Sequence, residues 1–222
     1  MAESHNISLT SYEPIGMIHK ISLSYIVHIH LCFETFVKDV CRHARLFGNV
    51  EVKEKVKEES WLLYAERLLL NQLPKEIQPL FDLCEYYRLI RNTAVHDLCD
   101  VETRTKEYRQ LKKYDFPQDT KFEKLKAPNE YENISFDDFV MFARSCNELA
   151  NFIYANLRYD YKKLVNSIEH EQIKKLTKYK NNRVRGEKAL SRYIVTNFKN
   201  DPVLDTIIGT LFDTVMARSS NR

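Results

Sequence analysis

From Met17 to Phe47 the chain runs without a single glycine or proline, and its 222 residues together hold only 4 glycines and 6 prolines. A chain this short of breakers can make few tight turns, so long helices are the elements it favours. Within the first stretch Ile18, Ile21, Tyr25, Ile29, Cys32, Phe36 and Val40 recur along one helical face, and Gly48 and Asn49 stop the pattern. The spacing predicts a long core helix over about 17–47, and with it an all-α fold. Hydrophobic residues make up 44%, enough for one sizeable core plus an extension, or at most two small domains.

The remainder reads as further helices and their connections. Residues 1–14 are a polar arm ending at Pro14. Residues 51–59, EVKEKVKEE, are expected to be the exposed start of a second helix that turns apolar from Trp61 to Leu70 and breaks before Pro74. Pro79 falls in the first turn of a third helix, where its missing N–H costs little. After His96 the periodicity lapses, apart from a short amphipathic pattern over 102–113, and Pro117 and Pro128 mark a long connection. That connection could serve as a lid at the His96 end or simply as a surface loop. Ser135 followed by Asp138 opens a fourth core helix, with Phe139, Phe142, Ala143, Cys146, Leu149, Ile153 and Leu157 at helical spacing. Two shorter patterns, about 187–198 and 202–217, flank Asn200, Asp201 and Pro202 and suit a helical hairpin. The expected division is a helical bundle over 15–160, with a basic segment and hairpin over 161–222 packed on it.

Charge and cysteines bound the setting. The net charge is +3, but residues 161–192 hold ten Lys/Arg against three Glu, a local +7, so the rest sums to −4. Lys174, Lys175, Lys178, Lys180, Arg183 and Arg185, interleaved with Tyr161, Tyr179 and Tyr193, suit a nucleic-acid backbone with base stacking, and equally a solvated basic helix. Cys32, Cys41, Cys84, Cys99 and Cys146 show no CxxC spacing, and no stretch of about 18 apolar residues occurs. A reduced, cytoplasmic protein with no membrane partner is expected. His28, His30 and Cys32 have the residue types of a metal site, yet only positions 28 and 32 share a helical face, so no metal is expected. No glycine pattern suits a phosphate loop, and no cofactor is expected.

The third helix carries the anomaly. Ile77, Leu80, Phe81, Cys84, Tyr87 and Val95 make one apolar stripe, and Arg91 falls in the middle of it. A buried guanidinium cannot shed its charge, so it needs a carboxylate, a phosphate or a wet cavity. Glu85, Asn92 and His96 line the flank of the stripe, and Glu34 on the first helix lies close enough to an apolar face to meet a buried cation. On these grounds alone Arg91 is either a structural ion-pair partner of Glu34 or Glu85, or a phosphate-binding group.

The hexapeptide RNTAVH, residues 91–96, is an Arg-x4-His with an Asn after the Arg. Here the sequence resembles the HEPN superfamily, whose active members carry R-x4–6-H near the end of a core helix in an up-and-down bundle. The likeness covers residues 15–160 and leaves the last 60 or so outside. The resemblance implies a metal-independent endoribonuclease acting on RNA, with Arg91 and His96 as catalytic pair, Asn92 as supporting polar residue, and a homodimer that brings two motifs to one groove. It also implies the toxin or effector of a toxin–antitoxin or phage-defence system, with a possible antitoxin partner, or a degenerate module that binds RNA or protein without cutting. Some members have a Tyr soon after the His, whereas Asp97 and Leu98 stand here.

Helix geometry sharpens that expectation. Residues five apart are turned by about 140°, so Arg91 and His96 do not converge on one face of a straight helix. Either the helix loosens after Ala94, or a second protomer supplies its copy across a twofold axis. In such a site His96 would act as general base or acid, Arg91 would clamp the phosphate, and Asn92 would orient it.

Overall fold

The computed structural model describes residues 14–48, 51, 54–70, 73–96, 101–114, 116, 125–198 and 203–220. The fold is all-α. Among the described residues there are nine α-helices and no strand: α1 (Pro14–Phe47), α2 (Trp61–Leu69), α3 (Gln78–His96), α4 (Val101–Leu111), α5 (Phe136–Asn156), α6 (Tyr161–Ser167), α7 (His170–Thr177), α8 (Arg183–Asn197) and α9 (Val203–Ser220). No described helix is long and apolar enough to cross a membrane. The chain forms two compact units, one from residues 1–42 and 51–157, the other from 43–50 and 158–222.

In the first unit α3 packs against α4 and α5, and α2 against α5. Leu80, Phe81, Leu83, Cys84, Tyr86, Tyr87 and Ile90 of α3 are buried, a broader apolar face than one stripe, whereas Val95, expected inside, is exposed. Ser135 and Asp138 open α5 as anticipated, the Asp138 carboxylate accepting from the Ser135 N–H at 2.9 Å. The charge run 51–59 is not the start of α2. Ser60 caps the helix instead, its hydroxyl accepting from the Leu63 N–H, and Glu59 folds back to hold Arg67 at 2.8 and 2.9 Å. A hydroxyl that satisfies an orphan N–H fixes the first turn more firmly than propensity does.

The first helix is in place, but its phase differs from the sequence expectation. The buried face consists of Ser22, Ile26, His30, Phe33, Val37, Val40, Cys41 and Ala44, while Ile18, Ile21 and Tyr25 are exposed. It starts at Pro14, the residue expected to end the arm, and the arm itself, residues 1–13, lies outside the described residues.

The second unit is built around α9, which packs against α6, α7 and α8. Asp160 caps α6 by accepting from the N–H groups of Lys162 and Lys163, and Arg218 of α9 donates to the Val165 carbonyl at 2.6 Å. The hairpin of α8 and α9 matches the expected 187–198 and 202–217. The basic stretch before it is not merely a solvated segment: α6 and α7 bury Tyr161, Leu164, Val165, Ile173 and Leu176. Gly186 lets the ring of Phe212 lie against the α8 backbone, where a Cβ would overlap it.

Candidate functional site

The Arg91–His96 motif stands on regular helix. α3 continues through His96, so the loosening after Ala94 that would bring both side chains to one point is not what the chain does. The two residues are about 7.5 Å apart along the axis and turned by about 140°. Within one chain they present to different directions. Arg91 is half-buried; its Nη1 donates to Asn92 Oδ1 at 3.0 Å, and its buried Nε has no partner. Asn92 is likewise half-buried, and His96 is exposed at the helix end. Asp97 and Leu98 lie outside the described residues, as does Cys99.

The two carboxylates expected beside Arg91 are engaged elsewhere. Glu34 pairs with Lys38 at 2.9 Å, one turn along α1. Glu85 accepts from Ser60 Oγ at 2.7 Å and from Arg88 Nε at 2.8 Å. Among the described residues no carboxylate lies within ion-pair distance of Arg91, so its charge is balanced by none of them. A half-buried guanidinium without a carboxylate partner keeps its charge, with one Nη1 N–H engaged by Asn92.

Beside it the structure brings His30, Glu34 and Glu85, each singled out separately in the sequence, together with Ser60 and Arg88. His30, Glu34 and Val37 of α1, Ser60 and Trp61 at the start of α2, and Glu85 and Arg88 of α3 line one shallow cleft. His30 is only 7% exposed, and its Nδ1 has no hydrogen-bond partner. Burial pushes its pKa down to about 4; Glu34 opposes this, and the positive charges of Arg91, Arg88 and Lys38 add to it. The imidazole is therefore neutral at physiological pH, a proton acceptor among cations. The apolar positions 26, 33, 37, 40 and 44 lie at helical spacing from it, a second stripe on α1 beside the one through Ile18, Ile21 and Tyr25.

His28 and Cys32 do share a face, with Nε2 and Sγ 4.0 Å apart. Among the described residues no group of three or more His, Cys, Asp or Glu side chains could hold a metal ion.

The six basic residues belong to the second unit and are all exposed. Lys175 is held by Glu171 at 2.9 Å, which in turn lowers the Glu171 pKa. Arg183 is held by Glu187 at 2.7 Å and Asp213 at 3.0 Å. Lys174, Lys178, Lys180 and Arg185 make no ion pair with a described residue and carry the free positive charge of α7, the turn after it and the start of α8.

No protein-family model matches this chain, and neither a curated protein nor a solved structure is similar to it.

Proposed function

We propose that the chain is the subunit of a HEPN-like homodimeric endoribonuclease that cleaves RNA without a metal. The observation that carries this reading is the Arg91 guanidinium, half-buried on α3 with no described carboxylate to neutralise it. With His96 exposed one and a half turns on, each protomer offers a phosphate clamp and an acid–base group that a single helix cannot aim at one phosphate. A twofold partner completes the pair. The exposed apolar side chains Met17, Ile18, Ile21 and Tyr25 on α1 support such a partner, because a helix with apolar residues on two faces has more to bury than its own unit covers.

In the reaction His96 takes the proton from the ribose 2′-OH, the 2′-oxygen attacks the adjacent phosphorus in line as the P–O5′ bond breaks, and the 5′-oxygen receives a proton from the protonated imidazole of the partner's His96. Arg91 stabilises the phosphorane charge, and Asn92, already bonded to Arg91, fixes the guanidinium plane. The products are a 2′,3′-cyclic phosphate and a 5′-OH. The cellular role as toxin or defence effector with an antitoxin rests on the resemblance alone, and a cytoplasmic setting on the scattered cysteines and the lack of a long apolar stretch. The test is incubation of the purified chain with RNA in EDTA, with end-group analysis. Wild type cuts and leaves cyclic phosphate ends, while Arg91→Ala and His96→Ala fold but lose activity by about a hundredfold or more. Intact RNA at high wild-type concentration sinks the proposal.

A second reading, a non-catalytic RNA-binding module, is favoured by the exposed and unpaired Lys174, Lys178, Lys180 and Arg185. It expects RNA retention that weakens with salt and with charge reversal at Lys174 and Lys178, unchanged by Arg91→Ala.

A further inference from the structure

Along α1 the exposed residues Ile18, Ile21, Tyr25, His28 and Cys32 follow one another at alternate steps of three and four. At about 100° per residue they fall within about 80° of one another, on a face turned away from the buried positions 26, 33, 37 and 44. Such spacing is the seam pattern by which two helices pack along their length. One turn beyond Tyr25 the apolar seam ends in a histidine and a cysteine, whose Nε2 and Sγ lie 4.0 Å apart. Among the described cysteines Cys32 alone is exposed, while Cys41, Cys84 and Cys146 are buried. His30, their neighbour in sequence, is buried on the opposite side of the helix and takes no part.

We infer that His28 and Cys32 are half of a zinc site, completed by the same two residues of a second copy whose α1 lies parallel across a twofold axis. The inference rests on the homodimer proposed above. Zinc takes sulfur at about 2.3 Å and nitrogen at about 2.0–2.1 Å in a tetrahedron, which sets S···N near about 3.6 Å, a small side-chain adjustment from the pair as it stands. Among the described residues no group of three or more His, Cys, Asp or Glu could hold a metal, so the site is incomplete without the second copy. In a parallel pair each seam residue meets its own copy, which stacks Ile18, Ile21 and Tyr25 in apolar layers and brings two nitrogens and two sulfurs together at the end of them. An antiparallel pair centred on His28 and Cys32 would instead lay Ile21 and Ile18 against the partner's Asp39 and the partner's Arg42, which form an exposed ion pair. On binding, each Cys32 thiol releases its proton to solvent. Two thiolates then cancel the charge of the ion and two imidazoles add none, so the centre placed in the seam is neutral. Thiolate and imidazole donors select zinc over magnesium or calcium, which require oxygen. The metal takes no part in cleavage. It tightens a dimer that the apolar residues already hold, so RNA cutting in EDTA is still expected.

The test is analytical ultracentrifugation of the full-length chain under a non-thiol reductant, in EDTA, in zinc and in magnesium, together with a cobalt titration followed by visible absorption. Zinc is expected to tighten dimerisation at least about tenfold relative to EDTA, and magnesium to leave it unchanged. Cobalt should bind as one ion per two chains, with the bands of tetrahedral thiolate coordination. Cys32→Ser and His28→Gln alter exposed side chains; they should melt and dimerise in EDTA as wild type does and lose the zinc effect. Equal dimer affinity in zinc and EDTA overturns the zinc site and leaves the proposed dimer standing, whereas a monomer under every condition removes both. Zinc tightening that persists in Cys32→Ser also overturns the inference, because the ligands then lie elsewhere. Neither variant touches Arg91 or His96, so RNA cleavage measured on the same samples reports on the ribonuclease reading separately.

Discussion

The Tyr87 hydroxyl donates to Asp138 Oδ1 at 2.8 Å in the fully buried centre of the first unit, tying α3 to the first turn of α5. Asp138 also accepts from the Asn129 backbone N–H at 2.8 Å, from Asn129 Nδ2 at 2.8 Å and from the Ser135 N–H at 2.9 Å. Burial and the neighbouring carboxylate together raise the Tyr87 pKa well above the ordinary phenol value. The phenol therefore stays a donor throughout the physiological range. One carboxylate thus holds the helix that carries Arg91, the start of α5 and the Asn129 loop in a single network.

Removing its acceptor leaves several donors stranded, whereas removing one donor leaves the others paired. Asp138→Ala is expected to cost about 3 kcal/mol or more, and Tyr87→Phe about 1–2 kcal/mol. Urea denaturation of both variants checks the order. An Asp138→Ala protein within about 1 kcal/mol of wild type means that the network does not hold the unit together.

The His30 imidazole gives stability a pH dependence whose sign follows from linkage. In the folded chain its pKa is about 4, below the ordinary 6.5, mainly through burial, with Glu34 opposing and Arg91, Arg88 and Lys38 adding to the shift. Below pH 6.5 the unfolded chain takes up a proton that the folded chain refuses. The contribution is therefore fully present above pH 6.5 and is lost as pH falls toward 4, to a total on the order of 3 kcal/mol. Denaturant midpoints of wild type and His30→Gln between pH 4 and 7 test this. The variant should show a distinctly shallower fall, and parallel curves would show that His30 does not titrate as placed.

Gly186 and Phe212 give a prediction in the second unit. Exchanging a helical glycine for alanine normally gains about 1 kcal/mol, but a Cβ at position 186 meets the Phe212 ring head-on. Phe212 is 3% exposed, with little room to retreat. Gly186→Ala should therefore destabilise, by roughly 1–3 kcal/mol, and Phe212→Leu in the same chain should recover part of that loss relative to Phe212→Leu alone. A stabilised Gly186→Ala chain by thermal melting contradicts the close approach.

How much of this could be read from the sequence depends on what decides each feature. Helix positions were legible because breakers are scarce and local: Gly48, Pro79 and the Ser135–Asp138 pair mark ends that the structure keeps. The phase of α1 was not, because two stripes compete on it. Ile18, Ile21 and Tyr25 fit a helical period as well as Ile26, Phe33 and Val37 do, and periodicity does not tell which face meets a neighbour. His30 lies in the second stripe, so its burial follows from that face and not from its neighbours His28 and Cys32, with which the sequence groups it. Arg91 stood out as a charge among apolar residues, but the local pairs that take its expected carboxylates, Glu34 with Lys38 four residues on and Glu85 with Arg88 three on, are legible in the helical spacing, though the sequence expectation leaves them out; only the Ser60 hydroxyl on Glu85 is tertiary. Arg104 gave no signal, sitting in the polar sequence VETRTKEYRQL, and becomes buried only once Tyr131 is brought over it.

The unclaimed stripe of α1 supplies the last prediction, which rests on the proposed dimer. Ile18 is 54% exposed and Tyr25 47%, with Ile21 between them on the same face; the Tyr25 ring touches Phe139 at a centroid distance of 4.9 Å, and Phe136 stands exposed beside that ring. Burying such side chains against a second copy is worth about 1.5–3 kcal/mol each, so a few suffice for a micromolar dimer after the cost of association. Ile21→Glu places a charge in that face without disturbing the buried residues Ser22 and Ile26. Wild type is expected to sediment as a dimer at micromolar concentration, and Ile21→Glu as a folded monomer with its thermal transition retained and RNA cleavage lost. Because each protomer alone keeps Arg91 and His96 about 140° apart on α3, a monomeric variant that still cuts RNA would show that the motif works without a partner. A wild-type chain that sediments as a monomer would remove the dimer itself.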